Sequence, residues 1–225
     1  RRNVPMIYII ENNGVYGLTK GQFSATSDLG SKLKTGALNE LPAIDCCTLA
    51  IEMGCTFVAR SFAGDPKQLV ALLKAALSHN GTVVLDVISP CITFNNHEGS
   101  TKSYKWAKEH KELLHNIDFV PHFEPIEGIE YKEGEVKEVE MHDGSHIRLR
   151  KVSREYDPTD KRQALNILRD SVDANEFLTG LIYFNPLKKS FFDALNVIDI
   201  PLVKLPAEKL RPGPEVLKKV MQELM

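Results

Sequence analysis

Residues 55–88 read CTFVARSFAGDPKQLVALLKAALSHNGTVVLDVI. Two short runs, CTFVAR at 55–60 and TVVLDVI at 82–88, flank a helical pattern. The second is nearly all apolar, the mark of a strand buried on both faces. Asp65-Pro66 offers an N-cap followed by proline at the first helical position. Apolar residues at 69, 72, 73, 76 and 77 then recur at the helical period, and Asn80-Gly81 closes the pattern. Upstream, VPMIYII at 4–10 predicts another strand buried on both faces, and about 42–53 predicts a helix ended by Gly54. The order βαβαβ implies an α/β fold, a mostly parallel sheet with helices on both faces.

Downstream, a helix is expected over 103–115, bearing the only Trp, Trp106. The composition then becomes charge-dense from 124 to 161. Two alternating runs around Asp143-Gly144 predict a β-hairpin. A helix from Asp157-Pro158-Thr159 to about Val172, a strand over 178–184 and a terminal helix from about Pro214 follow. The expected division is 1–123 as part of the α/β domain and 124–225 as a hairpin-and-helix extension packing on it.

The 225 residues, 43% hydrophobic and 26% charged, suit one globular domain with or without an appendage. With 28 basic and 30 acidic residues the net charge is −2. That argues against nucleic acid or anionic membrane held by excess basic charge. The longest apolar runs fall far short of the ~20 residues of a membrane span. Four cysteines (46, 47, 55 and 91) show no CxxC spacing and read as free thiols in a reducing, cytoplasmic setting. The opening Arg-Arg-Asn resembles the last turn of a helix, and no initiator Met is present. An upstream strand and helix are therefore expected in the natural protein.

In open parallel sheets, ligands bind at loops leaving the carboxyl ends of strands. Two long loops qualify. The first reads ENNGVYGLTKGQFSATS from residue 11. Asn12 and Asn13 offer amide oxygens of the kind that hard cations accept. Gly14, Gly17 and Gly21 permit close backbone approach, Thr19, Ser24, Thr26 and Ser27 add hydroxyls, and Lys20 adds a positive charge. This set suits a metal-bound diphosphate. The second loop, SPCITFNNHEGS, begins at residue 89 and places Cys91 at a strand end. His97 and Glu98 are adjacent and read as surface or loop-ordering residues.

The run NN-x-V-Y-G-L-T-K-G-Q-x-S-x-T-S resembles the thiamine-diphosphate motif of 2-oxoacid:ferredoxin oxidoreductase β subunits. AxEMGCTFVARSFAGDPKQL, SPCITFN, YDPTD and LTGLIYF extend the likeness over nearly the whole chain. The resemblance implies a thiamine-diphosphate-binding fold. It implies Mg²⁺ held by the Asn13 side chain and the Val15 backbone carbonyl, and cofactor contacts from Asn13, Gly17, Leu18 and Thr19. The Gly-Asp-Gly half of the motif is not in these residues. Ala25 stands where the family usually has proline. Thr-Lys-Gly-Gln resembles members that act on 2-oxoglutarate or on many 2-oxoacids, which gives Lys20 the role of pairing with a substrate carboxylate. Cys91 resembles the fourth thiolate of a 4Fe–4S cluster whose other ligands lie upstream.

The activity implied is oxidative decarboxylation of a 2-oxoacid to an acyl-CoA. Electrons leave singly through the cluster to ferredoxin, and an α (or fused γ/α) subunit is a partner. Segment 124–161 is a candidate surface for that partner, and an exposed hairpin is the plainer reading. The alternative function is a non-catalytic binding or assembly subunit that keeps the fold without the upstream ligands.

Overall fold

The computed structural model describes residues 2–17, 21–33, 35–120, 136–140, 146–151, 156–198, 200–211 and 213–224. Contacts divide the chain into two units, Arg1–Phe191 and Phe192–Met225, whereas the sequence expectation places its boundary at 123/124.

In the first unit, β1 (Met6–Asn12) leads into the two-residue strands β2 (Val15–Tyr16) and β3 (Gln22–Phe23). Then come α1 (Cys46–Glu52), β4 (Phe57–Phe62), α2 (Pro66–Leu77), β5 (Thr82–Ile88), α3 (Tyr104–His110) and β6 (Lys111–Leu113). After these follow β7 (His115–Val120), β8 (Val136–Glu140), β9 (His146–Lys151), α4 (Lys161–Asp173) and β10 (Phe177–Phe184). The central sheet has the order β1-β5-β4-β10-β6. β1, β5 and β4 run parallel, β10 is antiparallel to β4, and β6 is parallel to β10. β7, β9 and β8 form a separate antiparallel sheet, and β2 pairs with β3.

The caps follow the sequence. The Asp65 side chain accepts from Gln68 N at 3.2 Å, and Pro66 opens α2. Asp45 accepts from Thr48 N at 2.6 Å, so α1 starts at Cys46 rather than near Pro42. β4 and β5 are buried along nearly their whole length. Below the sheet, Phe57, Ala59, Val83, Leu85 and Leu181 pack against Leu72, Ala75 and Ala76 of α2. Above it, Val58, Val84, Leu178 and Ile182 pack against Cys47 and Ile51 of α1 and Leu168 of α4. Helices therefore cover both faces of a mostly parallel sheet.

Two local expectations are corrected. β1 is not buried on both faces: among the described residues it lies at the end of the strand order, paired with β5, and Met6, Tyr8 and Ile9 are exposed. The helix expected over 103–115 ends at His110, and the chain turns into β6, which pairs with Phe177–Thr179 of β10. Along α2, Leu72 and Ala76 of the apolar stripe are buried and Leu77 at its end is exposed. The hairpin around Asp143-Gly144 has its two strands paired as Glu140 opposite His146, and residues 141–145 lie outside the described residues. Much of segment 124–161 is likewise outside them.

The second unit holds α5 (Phe191–Ala194), which starts at the junction, α6 (Ala207–Leu210) and α7 (Pro214–Glu223). Pro214 occupies the first turn of α7, as expected. Its apolar residues Val216, Leu217, Val220 and Met221 are exposed. No helix among the described residues is long and apolar enough to cross a membrane.

Candidate functional site

At the end of β1 the chain turns sharply. Asn13 Oδ1 accepts from Val15 N at 3.0 Å, closing an Asx turn. Gly14 sits inside it with φ +71°, a conformation that disfavours any side chain. Gly14 O accepts from Ser24 N and Tyr16 O from Gly21 N. By the alternation of an antiparallel ladder, both backbone groups of Val15 then face away from β3. The Asn13 amide oxygen lies on that same outer side, because it receives the Val15 N–H.

The hydroxyls of the returning limb lace the loop to itself. Ser27 Oγ donates to Gly14 O, Thr26 Oγ1 donates to Asn12 Oδ1 at 2.7 Å, and Ser24 Oγ and Thr26 Oγ1 are 2.9 Å apart. Sequence reasoning assigns these groups to a diphosphate; here they fix the shape of the turn. Asn12, offered as a cation donor by its residue type, is buried, and its amide oxygen is taken by Thr26.

The second loop docks on the first. Asn95 Nδ2 donates to Asn13 O at 2.8 Å. A Cβ on Gly14 would lie 2.7 Å from Asn95 Nδ2, so glycine there also makes room for the neighbouring loop. Gly17 faces Cys91, whose Sγ is 4.0 Å from where a Cβ would stand. Asp28 joins the far ends: its carboxylate accepts from Thr101 Oγ1 at 2.6 Å, Thr101 N at 2.9 Å and Lys102 Nζ at 2.8 Å. Asn13, Val15, Gly17 and Cys91 are thus brought into one region. Lys20, Thr19 and Leu18 lie outside the described residues.

Beside this region sits a cavity of about 370 Å³, lined among others by Asn12, Asp45, Cys46, Arg60, Asp86 and Trp106. Asn13 and Val15 are not among its lining residues. Its lining holds a row of charges, buried at Arg60 and Asp86 and half-buried at Asp45, that sequence reasoning missed. Arg60 and Asp86 face each other in register on adjacent parallel strands. Arg60 Nε donates to Asp86 Oδ2 at 2.9 Å, Arg60 Nη2 pairs with Asp45, and Asn12 Nδ2 donates to Asp86 Oδ1 at 3.0 Å. Burial drives the Asp45 carboxyl up, but the Arg60 charge and the Thr48 N–H outweigh it and hold it below the usual range. Burial, helped by the Asp86 carboxylate, pushes the Cys46 thiol up to about 11. The available signal was a lone Asp inside VVLDVI and a lone Arg inside FVARSF.

The described residues contain no group of three His, Cys, Asp or Glu side chains placed to hold a metal ion. The four cysteines are free, and Cys47 and Cys55 are buried in the core. A 4Fe–4S cluster takes four thiolates, so Cys91 alone does not complete such a site. Amide and main-chain oxygens such as those of Asn13 and Val15 are of the kind a Mg²⁺ shell takes, and such a shell would draw further ligands from elsewhere. His97 Nδ1 lies 2.8 Å from Glu98 O, and exposed Glu98 pairs with Lys105, as a loop-ordering role expects.

Residues 1–87 match the family model described as thiamine pyrophosphate enzyme, C-terminal TPP binding domain. A 2-oxoacid:ferredoxin oxidoreductase subunit beta from Saccharolobus solfataricus is 42% identical over 127 residues, covering 56% of this chain and 39% of that protein. A 2-oxoacid:ferredoxin oxidoreductase 1 subunit beta from Aeropyrum pernix is 38% identical over 196 residues, covering 87% of this chain and 51% of that protein. A solved 2-oxoglutarate:ferredoxin oxidoreductase from Magnetococcus marinus, with 2-oxoglutarate, coenzyme A and succinyl-CoA bound, superposes with a TM-score of 0.65 at 22% identity. It covers 99% of this chain and 59% of the solved one, and supports the fold. The chain spans about half or less of the length of the curated relatives it matches. Over these stretches the chain is similar to 2-oxoacid:ferredoxin oxidoreductase β subunits, and its first 87 residues match the TPP-binding-domain model.

Proposed function

We propose that this chain forms part of the β subunit of a 2-oxoacid:ferredoxin oxidoreductase, of the 2-oxoglutarate-using type, working in the cytoplasm with an α (or fused γ/α) subunit. The observation that carries the reading is the Asx turn at 13–15. It sets an amide oxygen and the outward backbone of Val15 on one side, at the carboxyl end of a parallel strand. In this reading the Asn13 side chain and the Val15 carbonyl hold Mg²⁺. Gly17, Leu18 and Thr19 line the diphosphate of thiamine diphosphate, and Lys20 pairs with the substrate carboxylate. Cys91 gives one thiolate to a 4Fe–4S cluster, and the remaining thiolates come from outside the described residues. When bound, thiamine diphosphate supplies the chemistry that activates a 2-oxo carbon. The residues of this chain bind it, orient it and shield it from water. Coenzyme A takes the acyl group and ferredoxin the electrons.

Two variants in the intact complex test this. Asn13→Leu weakens thiamine diphosphate retention, and added Mg²⁺ no longer improves it; unchanged retention, measured by calorimetry, discards the metal assignment. A hydrogen bond to a charged group is worth about 1.5–3 kcal/mol. Lys20→Ala therefore lowers kcat/KM for 2-oxoglutarate roughly tenfold more than for pyruvate, and equal losses on both substrates remove the specificity role.

A further inference from the structure

Diphosphate recognition does not require a buried ion pair on the two strands beside β1. Yet Asp86 is 1% exposed and Arg60 9%, both within strands built mostly of apolar residues. Taking charges out of water costs several kcal/mol each, and apolar side chains in their place are often no less stable. Overall stability is therefore a weak reason for them. Their hydrogen bonds are highly directed. One Asp86 oxygen receives Arg60 Nε and the other receives Asn12 Nδ2. Arg60 is held in turn by Asp45, whose other oxygen caps α1. A carboxylate can only accept, so Asp86 fixes which way the Asn12 amide points. The Asn12 oxygen is thereby aimed at Thr26, on the returning limb of the loop. Ser27, the next residue, closes on Gly14 O, inside the turn that carries Asn13.

We propose that Asp86, Asn12 and Thr26 are positioning residues: they lock the turn at 13–15 in its binding shape before any cofactor arrives. The proposal rests on the reading of that turn as the diphosphate site. In this proposal they act through the turn and not as ligands themselves. They act as partners behind the ligands do in metal sites, where losing one typically costs about 10–100-fold in affinity.

The test uses the intact complex freed of cofactor, with three measurements on each variant: Mg²⁺–thiamine diphosphate affinity by calorimetry, amide hydrogen exchange without cofactor, and melting temperature. Thr26→Val removes one hydroxyl at nearly constant volume. It is expected to weaken cofactor binding roughly tenfold and to speed exchange at Val15 and Ser24. Exchange in β4 and β5 and the melting temperature stay at wild-type values. Thr26→Ser restores affinity and slow exchange. Asp86→Asn loosens the same amides, and if it fails to assemble, Thr26→Val decides alone. Wild-type affinity and loop exchange in Thr26→Val overturn the proposal, as does weakened binding that merely follows a lowered melting temperature. If the wild-type complex binds no thiamine diphosphate, the diphosphate reading falls. The exchange comparison then still decides whether these residues order the turn.

Discussion

The two faces of the central sheet use the same strands and solve the same problem differently. Under α2, the polar side chains near the carboxyl ends are neutral: Gln68 accepts from Ser61 Oγ at 3.0 Å and donates to Thr179 Oγ1 at 3.2 Å. On the opposite face the corresponding row is charged, running through Asp45, Arg60 and Asp86 to Asn12. Neutral amides and hydroxyls suffice to satisfy a buried sheet face. Among the described residues, the fully buried ion pair Arg60–Asp86 stands on the face that continues into the first loop, which points to orientation rather than bulk stability as its use.

The sharpest way to break this contrast is Asp86→Leu. Leaving Arg60 buried with Asp45 alone is expected to cost about 3–5 kcal/mol, read from urea unfolding of the complex. The joint change Arg60→Met with Asp86→Leu should cost less than the single one; a larger loss would show that the pair itself supplies net stability. On the other face, Leu85→Ala opens a cavity and is expected to cost about 2–5 kcal/mol, while thiamine diphosphate affinity in the surviving fold is unchanged. A loss of affinity there would erase the distinction between faces.

The smallest effect is one of pH. Asp45 titrates below its unfolded value of about 3.9, so its contribution is present above that pH and is lost as pH falls through the folded value. Asp45→Asn is therefore less stable than wild type at pH 7, and the gap narrows on descending below about pH 4. A gap as wide at pH 3 as at pH 7 would assign the difference to something other than the ion pair.

The parallel core was readable from residues 55–88 because apolar runs, a proline-opened helix and an Asn-Gly stop agree with one another. α3 was overestimated because 111–113 gains ladder bonds from β10, a partner 66 residues away. No local pattern announces such a pairing. The exposure of β1 had the same origin: its composition suits burial, but its place at the end of the strand order decides. At the site, the residue types of the first loop were legible and their partners were not. Ser24, Thr26 and Ser27 read as free hydroxyls until the return of the chain sets them against Asn12 and Gly14. Asp86 and Arg60 stood out as lone charges, yet only the register between β4 and β5 joins them.

The bond from Asn95 to the carbonyl of Asn13 has an evolutionary corollary. Adding or deleting a residue in 12–17 or 91–95 would slide one loop past the other and uncouple them. Among the described residues, the outer span around the Lys32–Leu38 bridge carries no such contact with Asn13 and is largely exposed. Natural length variation among homologues should therefore gather there, and the interlocked stretches should keep a constant count of residues.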